Sequence, residues 1–374
     1  MDPMRSYPIL TTLLSPFRKS QRTTMAWVIG ALVAVGEARS FAIAMRLRLW
    51  RGGLLQSALN RFYRLLRNHR IWDALLTARL LDVLARSPAR ELLVAVDWTE
   101  WPHDLRMLVA AVVVGRRAVP VLCHGHEQRV RVRSQNLREN DFARTLAWAA
   151  QQARVKLTLL CDRGFRRVSW LRHLDTLGLG FVVRLMDDVL VEIEPGLRVP
   201  LGSVLLTMGR VLDLGFVALR SDAAHRVRIV GYWAPGAREP WWLATNRDDP
   251  PSHILKLYDR RMTVEQQFRD SKGARFGVKL QWTQFRRPEA LGRVAMLVGV
   301  AILIWTLVGR LAVAWDPTLP LPCRRKGPRF SFVAIGLDLS VSGASFPPLT
   351  VEILALHLEP PALRPVAGRA VGGK

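Results

Sequence analysis

Hydrophobic and polar positions along the chain change period three times. Up to about residue 90 the apolar side chains recur at three- and four-residue steps, as in Phe62, Leu65, Leu66, Trp72, Leu75, Leu76 and Leu84. That is a helical period, and Arg61, Arg64, Arg67 and Arg70 repeat every third residue on another face. A basic helical face can follow a nucleic-acid backbone or can simply be a solvated face. At Leu92 the pattern becomes short β-rich runs: Leu92 to Val96, Met107 to Val114 and Ala118 to Cys123, the last two flanking Gly115-Arg116-Arg117. These predict three consecutive strands with a hairpin. A helix over 139–153, a strand over 157–161, a helix over 168–177 and a strand over 180–184 follow. The order β-β-β-α-β-α-β predicts an α/β sheet of mixed direction.

Between about 187 and 250 helical period vanishes and alternating pieces such as Val189 to Ile193, Val227 to Trp233 and Trp241 to Thr245 stand between Pro and Gly turns. This reads as an all-β insertion. Helices are predicted again over 254–272 and 288–314, and the Pro- and Gly-rich tail beyond Asp316 reads as irregular. The expected organisation is therefore a helical region over 1–90, an α/β core over 91–186 and 251–316, a β-rich insertion over 187–250, and a tail over 317–374.

Composition narrows the picture. With 374 residues, half of them hydrophobic, the chain can bury at least one large core, which excludes general disorder. Lys and Arg number 55 against 30 Asp and Glu, a formal net charge of +25, and a field of that strength points to a polyanionic partner. Arg predominates, and its planar fork matches phosphate oxygens. Three widely spaced cysteines, Cys123, Cys161 and Cys323, argue against a disulfide framework and for a reducing compartment. Met25 to Gly36 imitates a signal segment, but it lies late and Arg-rich sequence follows it. Ala295 to Gly309 is shorter than the ~20 residues a membrane span needs and reads as a buried helix, without membrane association.

Two carboxylates call for an explanation. Asp97 follows directly on five apolar residues and Asp162 on the run Leu157-Thr158-Leu159-Leu160-Cys161, and an acid at the end of a buried strand is costly unless it is paired or binds a cation. Either alone could be an ordinary turn residue. Asp162 stands in Asp-Arg-Gly-Phe, where Gly164 permits a tight exit and Arg163 places positive charge beside the acid. Further on, at about 100° per residue, Tyr258, Arg261, Glu265 and Lys272 fall within one stripe of about 60° on the predicted 254–272 helix. A surface Arg261–Glu265 pair would contribute only ~0.2–0.5 kcal/mol, so stability is a weak reason for the arrangement. His124, His126 and Glu127 form a second possible cluster, for which no further ligand group is evident.

Tyr258-x2-Arg261-x3-Glu265-x6-Lys272, with Asp97 and the Asp162-Arg163-Gly164-Phe165 context, resembles the YREK signature of the DDE transposases of bacterial insertion sequences, specifically the insertion-sequence-4 family. The resemblance covers about Leu92 to Ala314. It implies a ribonuclease H-like fold in which Asp97, Asp162 and Glu265 hold two Mg²⁺ ions, with Mn²⁺ able to substitute, and cleave and rejoin DNA at terminal inverted repeats. It further implies that Tyr258, Arg261 and Lys272 contact DNA and that Trp241 rather than its neighbour Trp242 stacks on an unpaired base; Arg163, beside Asp162, is a further candidate for DNA contact. The expected partners are double-stranded DNA, as transposon ends and as target, and a second copy of the chain on paired ends, in the bacterial cytoplasm. A catalytically silent descendant that only binds DNA would share most of these features.

Overall fold

In the computed structural model the described residues are 2–71, 73–85, 90–114, 117–128, 132–219, 225–262, 285–316, 331–344 and 347–350, with single positions 278, 280, 283, 352 and 353. The N-terminal region is helical: α1 (Pro3–Ser6), α2 (Ile9–Leu13), α3 (Lys19–Val35), α4 (Ser40–Arg51), α5 (Leu55–Arg67) and α6 (Asp73–Leu84). The signal-like run is the second half of α3, and Met25, Val28, Ile29, Leu32 and Val33 are all buried there. In α5 the apolar positions Phe62, Leu65 and Leu66 point inward as their spacing predicts. The helix stops at Arg67, so Arg70 lies beyond it and the arginine row is one residue shorter than its period suggests.

The core strands are β1 (Glu91–Trp101), β2 (Leu105–Val114) and β3 (Arg117–Glu127), then α7 (Val132–Ala153), β4 (Lys156–Cys161), α8 (Val168–Thr176) and β5 (Gly180–Leu185). β1, β2 and β3 are antiparallel neighbours, while β4 runs parallel to β1 and β5 parallel to β4. The order β3-β2-β1-β4-β5 is the ribonuclease H-like arrangement that the resemblance implies. Leu92 to Val96 is apolar throughout because both faces of the central strands are covered.

The β-rich stretch comprises β6 (Leu190–Glu194), β7 (Leu197–Pro200), β8 (Val211–Leu219), β9 (His225–Tyr232) and β10 (Trp241–Thr245). It does not stand apart as the word insertion suggests. β10 pairs antiparallel with β5, Leu243 opposite Arg184, and the sheet continues to ten strands, ending in β9-β8-β6-β7.

Three helices complete the described chain: α9 (Pro251–Asp259), α10 (Pro288–Trp315) and α11 (Phe332–Val341). The expected helix over 254–272 begins earlier, at Pro251, where a proline in the first turn forgoes no helical hydrogen bond. It gives way after Asp259 to a 3₁₀ turn, Arg260–Met262, in which residues three apart eclipse one another. Positions beyond Met262 up to residue 277 lie outside the described residues, and with them Glu265, Lys272 and the far end of the stripe.

α10 extends beyond the predicted apolar run, and its most apolar window is 94% buried within the molecule. Packing accounts for that composition: a Cβ at Gly299 would come 2.4 Å from the Pro120 carbonyl oxygen, and one at Gly292 would come 2.7 Å from that of Cys123, so both glycines bring α10 directly onto β3. The tail is not uniformly irregular either. Ser331 caps α11, which packs on α10 with Gly336 against the Trp305 carbonyl, a close helix approach that the prolines on either side obscure in the sequence.

Candidate active site

The parallel pairing of β1 with β4 sets the site. Val96 is registered with Cys161, so Asp97, within β1, and Asp162, just past the end of β4, stand side by side one step further along, and β1 runs on to Trp101 beyond the strand end that the apolar run predicts. The Asp97 Oδ1 accepts the Trp98 backbone N–H at 2.8 Å, and its Oδ2 faces the Arg261 Nη1 at 3.3 Å. Asp162 caps the 3₁₀ turn Arg163–Phe165 by accepting the Gly164 N–H at 2.9 Å. A Cβ on residue 164 would lie only 3.0 Å from that same oxygen, which gives the glycine in the motif a packing reason. Cys161, fully enclosed beneath the pair, reports their field: burial pushes its thiol far up, and the charges of Asp162 and Asp97 push it further.

Side chains alternate across a sheet, and the register carries the same face outward through β5 and β10, bringing Arg184 and Trp241 to the side occupied by Asp97. α9 covers this face, and Tyr258, 4% exposed, sits against Trp241 with ring centroids 5.1 Å apart in an edge contact. Burial pushes the Tyr258 phenol up to about 12, against the opposing pull of Arg261 and Arg184, so it is a neutral hydrogen-bond donor at ordinary pH. Trp242 points the opposite way into the main core and is 1% exposed. Of the two tryptophans, Trp241 is thus the one on the acidic face. Arg163 is half-exposed and lies 3.5 Å from Glu239, whose other oxygen pairs with Arg184 at 2.8 Å.

The structure therefore brings together Asp97, Asp162, Arg163, Trp241, Tyr258 and Arg261. Sequence reasoning missed Arg184, Glu239 and the buried Glu139 of α7. Arg184 had a signal, a charge in the apolar run Phe181 to Leu185, whereas Glu239 sits in a turn where acids are ordinary. His124 and His126 lie apart from the carboxylates, in packing contacts with Phe142 and Trp98. Burial and the nearby Arg138 and Arg106 push His126 down to about 3, surroundings that repel a cation. Among the described residues no group of three or more His, Cys, Asp or Glu is clustered for metal binding.

Two adjacent carboxylates are nevertheless the donor chemistry a hard divalent cation prefers, and like charges so placed gain from a cation between them. Asp97 and Asp162 fit such an ion; Glu265, the third ligand that the resemblance supplies, lies outside the described residues.

No curated protein matches the chain. Residues 89–304, from just before β1 to the middle of α10, match the family model described as transposase DDE domain. That span is more than half of the chain and takes in both aspartates, the ten-stranded sheet and α9, and the chain belongs to the transposase DDE domain family.

Proposed function

We propose that this chain cleaves DNA at the terminal inverted repeats of an insertion-sequence-4-type element and transfers the freed strands to target DNA. The observation that carries the reading is the pair Asp97 and Asp162 on adjacent parallel strands, beneath Arg261 and Tyr258. With Glu265 these would hold Mg²⁺ or Mn²⁺, which supplies activation of water or a 3′-hydroxyl and stabilisation of the leaving oxygen. Arg261 and Arg163 offer guanidinium forks to backbone phosphate, and Lys272 would extend that row. Tyr258 donates from a dry site, and Trp241 offers a ring on which an unpaired base can stack, a contact worth about 1–3 kcal/mol. Two copies on paired ends, acting in the cytoplasm, complete the reading.

Duplex contacts outside the active site fall to the N-terminal helices. A groove of about 390 Å³ between the start of α3 and one face of α5 is lined by Ser20, Thr24, Asn60, Arg61 and Arg64, with no carboxylate. Glu37 is the one acidic residue between Arg18 and Ile71, and it is held by Arg39. Hydroxyls, amides and guanidiniums without an acid suit a phosphate backbone.

Replacing Asp97, Asp162 or Glu265 by Ala tests the assignment: Mg²⁺-dependent cleavage of an end-containing duplex should vanish while gel-shift binding persists. Cleavage retained in any of the three would refute it. Binding without nicking by the unaltered chain in Mg²⁺ and in Mn²⁺ would identify a silent descendant instead.

A further inference from the structure

Glu139 is 1% exposed, in the interior of α7 on the opposite side of the sheet from Arg261. A buried carboxylate is retained only where it is fully paired. Its Oε1 accepts from the Trp98 Nε1 at 2.9 Å and from the Gln135 Nε2 at 2.9 Å, and its Oε2 is paired with the Arg167 guanidinium. The two longer-range partners are not arbitrary. Trp98 directly follows Asp97 and donates its backbone N–H to that carboxylate. Arg167 ends the short segment that leaves β4 through Asp162 and the 3₁₀ turn, and it precedes α8. One side chain thus grips, from behind, both segments that carry the paired aspartates. Trp98 is held on its other surfaces as well, with the Arg106 guanidinium 4.3 Å from its ring centre and the His126 ring at 5.5 Å. The indole cannot turn without breaking the Glu139 bond.

We propose that Glu139 is a positioning residue that fixes the separation of Asp97 and Asp162 for their divalent ion. The inference rests on the proposed metal-binding role of that pair. Groups that orient metal ligands without touching the metal cost about 10–100-fold in affinity or activity when removed. Glu139 need not meet substrate: its bond to Trp98 holds β1 next to Asp97, and its pairing with Arg167 holds the exit of β4.

The test uses the full chain and Mn²⁺ alone, titrated by calorimetry without DNA. Glu139→Gln keeps an acceptor for Trp98 but removes the charge that Arg167 requires. Trp98→Phe keeps the ring under Arg106 but removes the indole N–H, and it decides the matter if the Gln variant does not fold. Each should weaken Mn²⁺ binding about tenfold or more, and the double variant should lose less than the product of the two, because both act through the one side chain at position 139. Duplex affinity in chelator should be unchanged. A folded variant with a lowered melting temperature but wild-type Mn²⁺ affinity would make Glu139 merely structural and overturn the inference. If the unaltered chain and Asp97→Ala titrate alike, the metal reading itself fails, and this inference with it.

Discussion

Replacing Arg61 and Arg64 together by Ala removes both guanidiniums from the groove between α3 and α5 while leaving its floor intact. Both side chains are exposed, whereas Phe62, Leu65 and Leu66 on the inner face carry the packing, so the fold should persist. Each phosphate neutralised on duplex DNA contributes about 0.9 to the slope of log affinity against log salt, through release of condensed counterions. Two lost contacts should therefore flatten the slope by about 1.8. Raising salt fourfold, from roughly 50 to 200 mM, should then shrink the wild-type advantage about tenfold. Fluorescence anisotropy with a labelled duplex across that range measures it, and an unrelated duplex should give the same difference, because phosphate contacts carry no base identity. An unchanged slope would show that these arginines are solvated surface. A loss confined to one sequence would point to base readout instead.

Gly299→Ala should destabilise the chain by about 1–3 kcal/mol from overpacking, even though alanine favours a helix by up to about 1 kcal/mol, because its Cβ would come 2.4 Å from the Pro120 carbonyl oxygen. Urea denaturation reads the difference, and a midpoint equal to wild type would refute the close approach of α10 to β3. His126, held near 3 chiefly by burial, binds fewer protons folded than unfolded, so its contribution to stability is complete above about pH 6.5 and is lost as pH falls toward 3. Melting temperatures from pH 7 to pH 4 should therefore fall less steeply for His126→Phe than for the unaltered chain, and parallel curves would sink the claim.

Much of this is legible in the sequence because apolar strand runs are. A largely apolar run of five precedes Asp at both acids, and β4 ends at Cys161 as that run predicts, whereas β1 continues through Asp97 to Trp101, so Asp97 lies within its strand and not at its end. The arginine row of α5 and the burial of Phe62, Leu65 and Leu66 follow from period alone. Three features resist such reading. The wheel drawn through Tyr258 and Arg261 assumes uniform α-helix, and the local tightening at Arg260–Met262 changes the angle between them. The β-rich stretch alternates like any solvated sheet, and nothing local announces that Trp241 to Thr245 will pair with Gly180 to Leu185. Glu139 looks like one more charge on a polar helix; its burial is a consequence of Trp98 and Arg167, which are distant in sequence.

Those distant partners also answer a question that the apolar runs leave open. Strands buried on both faces, such as Leu92 to Val96 and Leu157 to Cys161, have little in their own pattern to fix register, and a slip of one residue would turn Asp97 to the opposite face. Polar pins at both ends resist that slip. At the far end, Glu91 of β1 accepts from the Thr158 hydroxyl of β4 at 2.9 Å, and Arg247, just past β10, is bonded to both. At the near end, Glu139 holds Trp98 and Arg167. A slip would strand partly buried charges at both ends at once, and an unpaired buried charge costs about 3–5 kcal/mol, far more than a neutral strand would lose. Hydrophobic burial therefore makes the sheet, while a few charged contacts outside the acidic face decide that Asp97 and Asp162 meet on it.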